Sequence, residues 1–440
     1  MEYWVVPVMI LFGGLLVGLV FGLPMAFTLG GAAIVAGFVF QGPSIFDLVI
    51  RSTYGAMTNL VLVALPLFIV MASVLERSGI ADDLFTAMHQ WTGPLRGGIA
   101  IAVVGICTVI AAMSGVSTAG VVTMGIIALP IMLRKGYNKS IAIGPILAGG
   151  ALGILIPPST TFIVYGMLTR TSIGRLFAGG IIPGLILSIF YMSYIGIRCY
   201  LQPQLGPPLP KEERVPIIEK IKLSRGLILP VLLIVAVLGS IFGGIASPTE
   251  SAAVGALGAL ICAAIHRRLN WTMLKEAAAR TAGITGMVMW ILFGAFCFAS
   301  VFISSGGPTA VKEFVTGLDV PPILIILMMQ ISYMILGCFM DEITILFLTI
   351  PIYMPILVGF GYDPVWFGVL FIVNMQMAYL TPPFGLTLFY MRGIAPPSVS
   401  LMDIYRSVIP FVGMQFIVLI LVLFFPQLSL WLPDVVFGLR

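Results

Sequence analysis

Leu155-Ile156-Pro157-Pro158-Ser159 and Leu380-Thr381-Pro382-Pro383-Phe384 each break a long apolar run with paired prolines, and the two stretches lie 225 residues apart. Around them the register holds without a gap. From Ile127 to Tyr165 it gives nine identical pairs, among them Pro130/Pro355, Gly136/Gly361, Tyr137/Tyr362 and Tyr165/Tyr390. A proline has no N–H to donate, and its ring clashes with the carbonyl four residues earlier, so each pair must free carbonyls within an otherwise helical segment. Two corresponding interrupted spans in two halves of a membrane chain point to a transporter's central site.

Composition fixes the solvent. The chain has 60% hydrophobic and only 9% charged residues, with a mean hydropathy of +1.14, whereas soluble domains carry about 25% charged residues. A polytopic, all-helical membrane protein is expected. Lipid offers no partners to backbone N–H and C=O groups, so apolar stretches of about 20 residues must be helices and no sheet is expected. The net charge of +5 sits in short loops, where it orients the chain and does not recruit nucleic acid. Cys107, Cys199, Cys262, Cys297 and Cys338 lie in or beside apolar runs without metal-ligand spacing and are expected to pack as small apolar groups. Met1-Glu2-Tyr3-Trp4 has neither a basic flank nor a small-residue cleavage pattern, so the first span is expected to remain as a helix. His89 and His266 read as interfacial residues, and no transition-metal site is expected. With no Walker loop, dinucleotide fingerprint or catalytic constellation, an enzyme is not expected.

Spans are expected near residues 4–20, 22–40, 57–76, 140–168, 176–198, 226–245, 247–266, 282–304, 365–391 and 408–430. Two further apolar segments, about 98–133 and 321–357, are each either a pair of short spanning helices or a re-entrant hairpin. Loop charge sets the orientation. Arg134-Lys135-Gly136-Tyr137-Asn138-Lys139 is basic, while its counterpart Gly359-Phe360-Gly361-Tyr362-Asp363-Pro364 carries no cation. Equivalent loops are therefore expected on opposite faces. This divides the chain into a first inverted repeat (1–202), a cytoplasmic linker (203–225) and a second inverted repeat (226–440), with both termini external. Gly14-xxx-Gly18 pairs with Gly239 and Gly243 and reads as close helix packing.

The candidate chemistry sits at the breaks. Freed carbonyls at membrane depth are costly unless they line a cavity or bind something. Beside Ser159, Thr160, Thr161 and Thr381 they are uncharged oxygen ligands suited to a weakly bound cation such as sodium; the alternative is a kink satisfied by nearby hydroxyls. Hydroxyls and glycines in Met113-Ser114-Gly115-Val116-Ser117-Thr118-Ala119-Gly120, and Gly337 to Thr344 in the second half, read as hairpin tips facing the breaks. Intramembrane acids are functional candidates by default, which singles out Asp341 and Glu342, Asp341 being preferred as a cation ligand or reorganising residue. Glu250 has a structural reading, because Ser247-Pro248-Thr249-Glu250 is a capping box.

Leu65-Pro66-Leu67-Phe68, Ser78-Gly79-Ile80, Gly97-Gly98-Ile99-Ala100, Ser114-Gly115-x-Ser117-x-Ala119, Lys135-Gly136-Tyr137, Gly153 to Ser159, Leu176-Phe177-Ala178-Gly179, Ser247 to Glu250, and Asn374 with Thr381-Pro382-Pro383 resemble the large membrane subunit of tripartite ATP-independent periplasmic (TRAP) transporters, from about Gly22 to Pro410. The resemblance implies an inner-membrane subunit of a bacterium or archaeon, working with a small four-helix membrane subunit and a periplasmic substrate-binding protein. It implies uptake of an organic acid, such as a C4-dicarboxylate, sialic acid or another sugar acid, coupled to inward sodium by an elevator-type motion. Sodium ions are implied at Ser114, Gly115, Ser117, Pro157, Pro158 and Ser159, and at Gly337, Asp341, Asn374, Thr381, Pro382 and Pro383. The flanking residues Thr118, Thr160, Thr344 and Gly385 are candidate substrate contacts. Val116 departs from the small polar residue common in relatives. The competing reading is a stand-alone sodium- or proton-coupled carboxylate symporter that needs no binding protein, and no cofactor beyond the coupling ion is implied.

Overall fold

Among the described residues of the computed structural model, nine helices are long and apolar enough to cross a membrane. The structure describes residues 5–317, 320–383 and 385–438, so Met1 to Trp4 and the break residue Phe384 lie outside the described residues. Among the described residues all regular structure is helical, as backbone in lipid requires.

The paired prolines interrupt two spans where the sequence places them. Lys139–Ala151 tightens into a 3-10 turn over Leu152–Ile154, stops at the prolines and restarts as Thr160–Thr169. Pro364–Leu380 stops at Thr381 and restarts as Leu386–Ile394. Both Pro–Pro peptide bonds are cis. The two leftover apolar segments are helical hairpins, Gly98–Ser114 with Ser117–Arg134 and Pro322–Gly337 with Glu342–Gly359. Their second arms begin and end 225 positions apart.

Contacts recur reciprocally between the halves. Met25–Gln41 packs on Trp271–Ser304 of the second half, and Pro248–Ile265 packs on Ala64–Arg77 of the first. The equivalent glycines Gly30 and Gly255 sit at these two crossings: a side chain at Gly30 would reach the Gly294 backbone, and one at Gly255 would overlap Met71. The second arm of each hairpin rests on the short helix that follows the other half's break. Gln376 Nε2 donates to the Ala151 carbonyl at 3.0 Å, and these two residues are themselves 225 positions apart.

Amphipathic helices occupy segments that apolar length alone does not reveal. The stretch between the expected spans 22–40 and 57–76 contains Ile45–Met57, and Ile80–Thr92 follows the next span. In the latter, Ile80, Ala81, Leu84 and Phe85 are buried while Asp82 and Asp83 face out, so its mean hydropathy stays below that of a span. The last expected span, 408–430, begins earlier, at Leu401, because a capping box of Ser400 and Asp403 starts it. It ends at Phe424, and Gln427–Phe437 follows as a separate helix. The capping box at Ser247 and Glu250 forms as read from the sequence, with the Ser247 N–H donating to Glu250 Oε2 at 2.7 Å.

The linker is strapped to the base of the first hairpin by main-chain bonds. The Gly97 N–H donates to the Gly206 carbonyl (2.8 Å), the Asn138 N–H to the Leu205 carbonyl (2.9 Å) and the Leu209 N–H to the Gly93 carbonyl (2.7 Å). An ion pair between Lys135 and Glu213 and a hydrogen bond from Trp91 Nε1 to Ser224 Oγ (2.9 Å) extend this attachment.

Close helix approach at the first small-residue motif is direct. A side chain at Gly18 would overlap the Thr28 methyl and hydroxyl, and one at Gly14 would lie 3.1 Å from Ala32 Cβ. Gly18→Val is expected to destabilise the protein by about 1–3 kcal/mol through overpacking. Its thermal melting in detergent tests this, with Gly13→Val, which meets open space, as the neutral control.

Candidate functional site

The first hairpin tip docks onto the first break by backbone. Gly115 takes a left-handed conformation (φ +69°), which turns the chain between the two arms and costs a non-glycine residue conformational energy. The turn presses Gly115 against the Pro158 carbonyl, so a side chain there would overlap it. The Gly115 carbonyl accepts from the Thr160 hydroxyl at 3.3 Å and from the Thr160 N–H at 3.4 Å. Across the same contact, a side chain at Gly153 would overlap the Val116 carbonyl. Ser159 caps the restarted helix, accepting from the Phe162 N–H at 3.3 Å, while its hydroxyl donates to the Ile154 carbonyl at 2.6 Å.

Ser114, Gly115, Ser117, Pro157, Pro158, Ser159 and Thr160 are thus brought together and buried. Thr118 follows them on the second arm, half-buried. Among the described residues no donor reaches the carbonyls of Pro157 and Pro158. The donor set is hydroxyls and carbonyls, uncharged oxygens that fit a weakly held monovalent cation such as sodium. The helix Gly98–Ser114 and the turn Leu152–Ile154 both end here, adding their negative dipole ends to that potential.

The second half is built differently. Gly337 packs against Met375 and Ala378 on the helix before the break, and Cys338 Sγ lies 4.0 Å from the Pro382 carbonyl. Pro382 and Pro383 are exposed, where their counterparts Pro157 and Pro158 are fully buried. Thr381 spends its hydroxyl on the Met377 carbonyl at 2.7 Å, and Gly385 caps the restarted helix in a left-handed conformation. Asp341 is the N-cap of the second arm, its two oxygens accepting from the Thr344 N–H (3.0 Å) and the Thr344 hydroxyl (2.7 Å). Asn374 sits away from this group. It is seven residues, about 10 Å of helix, before Thr381, and its Nδ2 donates to the Gln330 carbonyl (2.7 Å) and Oε1 (3.0 Å).

The acid at the centre of the molecule is Glu342, the neighbour of the preferred Asp341. It is only 9% exposed. Its carboxylate accepts from the Thr161 hydroxyl of the first half at 3.4 Å and from the Tyr379 hydroxyl of the second. One side chain therefore joins the second tip, the helix leaving the first break and the helix entering the second. The sequence signal is positional: Asp is the favoured cap residue, so a Glu immediately after it starts the helix and must point elsewhere.

These features define a secondary-transporter site, two interrupted helices and two hairpins meeting inside a helical membrane protein. Residues 12–428 match the family model of the tripartite ATP-independent periplasmic transporter, DctM component, and the chain belongs to that family. It is 32% identical to the isethionate TRAP transporter permease DctMQ of Oleidesulfovibrio alaskensis over 97% of this chain, although it spans only 66% of that relative's length. It is also 32% identical to the C4-dicarboxylate TRAP large permease DctM of Vibrio cholerae, over 96% of each chain. Its fold is similar to the crystal structure of the YdaH transporter of Alcanivorax borkumensis, with a TM-score of 0.63, 17% identity and coverage of 88% of this chain and 90% of that one. The relatives are transport permeases and not enzymes.

Gly115→Ala is expected to lower stability by about 1–3 kcal/mol while the chain still inserts and transport falls at least tenfold, because the added methyl displaces the tip from the Pro158 carbonyl. Uptake into proteoliposomes, read beside melting in detergent, separates this from misfolding. Glu342→Leu removes the acceptor and strands the buried hydroxyls of Thr161 and Tyr379. It is expected to lower stability by about 2–4 kcal/mol, with Glu342→Gln milder because the amide oxygen still accepts. Detergent melting curves that rank the two the other way would refute this account of the contact.

Proposed function

We propose that this chain is the large transport subunit of a sodium-coupled TRAP transporter in the inner membrane, importing an organic acid handed over by a periplasmic binding protein. The observation that carries the reading is the first tip seated on the first break, where uncharged oxygens converge on a buried point. Ser114, Ser117 and Ser159, with the carbonyls at Gly115, Pro157 and Pro158, would hold the first ion. The second group, Gly337, Asp341, Thr381, Pro382 and Pro383, would hold another; Asn374 would support it from its contact with Gln330. Thr118, Thr160, Thr344 and Gly385 flank these groups and would face substrate.

Bound sodium supplies positive charge that the membrane potential draws inward, about 2.3 kcal/mol per charge per 100 mV. At about 1.4 kcal/mol per decade, one net inward charge supports nearly fiftyfold accumulation without ATP, and the inward sodium gradient or a second charge carries it past hundredfold. The elevator-type motion is supported by the way the hairpins and broken helices pack with one another, while Met25–Gln41, Ala64–Arg77, Pro248–Ile265 and Trp271–Ser304 pack chiefly among themselves. A small four-helix membrane subunit as partner agrees with the 66% coverage of DctMQ, which leaves a third of that relative outside the match. Loop charge supports a cytoplasmic linker and external termini. The substrate class is an organic acid; isethionate and C4-dicarboxylates, named for two relatives, bracket the chemistry to test first.

Reconstitution with a cognate small subunit and binding protein tests the reading. Uptake is expected only with all three components and inward sodium, and both Ser117→Ala and Asp341→Ala are expected to abolish the sodium-dependent part. Uptake of free acid by this chain alone would favour the stand-alone symporter. Wild-type sodium dependence in both variants would sink the ion assignment.

A further inference from the structure

A cleft of about 670 Å³ lies far from the break, at the other end of the helix Thr160–Thr169, lined by Asn59, Arg170, Thr171, Ser172, Pro248 and Phe437 among others. The helix Ile173–Leu201 starts in this cleft and ends at the basic linker, a rise of about 44 Å for its 29 residues. The cleft and the linker therefore open on opposite faces, and if the basic linker is cytoplasmic the cleft is external. One wall is the segment from Gly166 to Gly174 that follows the first break, and the other comes from outside the hairpins and broken helices, at Asn59, Val61, Ile241, Ala246 and Pro248.

Arg170 is the charged residue of this lining. It holds a left-handed backbone conformation (φ 55°) that favours glycine, at a cost of about 1–2 kcal/mol. The hydroxyl pair Thr169–Thr171 (2.8 Å) brackets it. Among the described residues its guanidinium meets no carboxylate, whereas Arg175, five residues on, is paired with Asp363 (3.3 Å) and Asp434 (3.5 Å). A fork of N–H donors without an internal acceptor, beside hydroxyls and an apolar wall of Met167, Ile173, Ile241 and Phe437, matches a small organic anion: a planar oxyanion for the fork and a carbon skeleton for the wall. The volume falls in the range of small-molecule sites.

We propose that this cleft is the entry site for the transported acid, where Arg170 grips its carboxylate or sulfonate on arrival from the binding protein, before the acid reaches the centre of the molecule. The helix Thr160–Thr169, about 15 Å long, connects the two places: Gly166 lines the cleft, and Thr161 bonds Glu342 at the centre. The inference rests on the reading of the chain as an acid importer, but on no particular coupling ion.

The test uses the complete reconstituted transporter with isethionate and the C4-dicarboxylate succinate as probes. Arg170→Gln is expected to lower uptake at limiting loaded binding protein about tenfold to a hundredfold, the range for loss of a charge-assisted hydrogen bond. Arg170→Lys, which keeps the charge but not the fork, should restore only part of it, and binding of the empty binding protein to the membrane subunits should not change. Unchanged uptake in Arg170→Gln would overturn the proposal. So would an equal loss of affinity for the empty binding protein, which would make Arg170 a docking residue. A defect confined to vesicles containing phosphatidylglycerol would assign the arginine to lipid phosphate, which shares the oxyanion chemistry, and would also overturn it. Wild-type vesicles that take up no acid would instead fail the importer reading itself.

Discussion

A chain that stops being helical inside a membrane must find partners for its backbone within the protein. The contact of Gly115 with Pro158 and Thr160 meets that constraint in the first half. The break can be buried because a hairpin tip covers it, and the tip can turn there because its glycine lets two main chains approach. Neither part is stable at this depth alone. Burial of the whole stretch from Ala151 to Gly166 follows from their union.

The second half meets the same constraint with side chains. Thr381 closes its own carbonyl ladder through a hydroxyl, Thr387 donates to the Tyr379 carbonyl at 2.7 Å, and Asp341 binds Thr344. Its prolines stay exposed. A sealed backbone site and an open, side-chain-supported one therefore face each other across Glu342, which is bonded to elements of both halves. The two breaks are thus chemically unequal, while the helices around them keep reciprocal contacts.

The parts legible in the sequence are those set by local rules. Paired prolines locate the breaks, apolar length locates the hairpins to within two residues at their ends, and the spacing from Ser247 to Glu250 specifies a cap that forms. Illegible parts depend on what lies across a contact. Glu342 and Asp341 are equivalent as intramembrane acids until Thr161 and Tyr379 are seen opposite one of them. Asn374 reads with the second break by motif, but helical rise carries it to Gln330 instead. Ile80–Thr92 hides because its polar face dilutes the apolar one, and Arg170 gives no signal at all until its cleft is formed.

The strap between the linker and the first hairpin uses the main chain of Gly97, Asn138 and Leu209 as donors. The seam also leaves no room for side chains at its glycines: Gly97 holds a left-handed conformation against Cys199, and an added carbon at Gly206 or Gly93 would collide with the Gly97 or His89 main chain. A segment that looks unstructured in composition is then conformationally specified. Any residue larger than glycine at these points would pry the connection between the halves open.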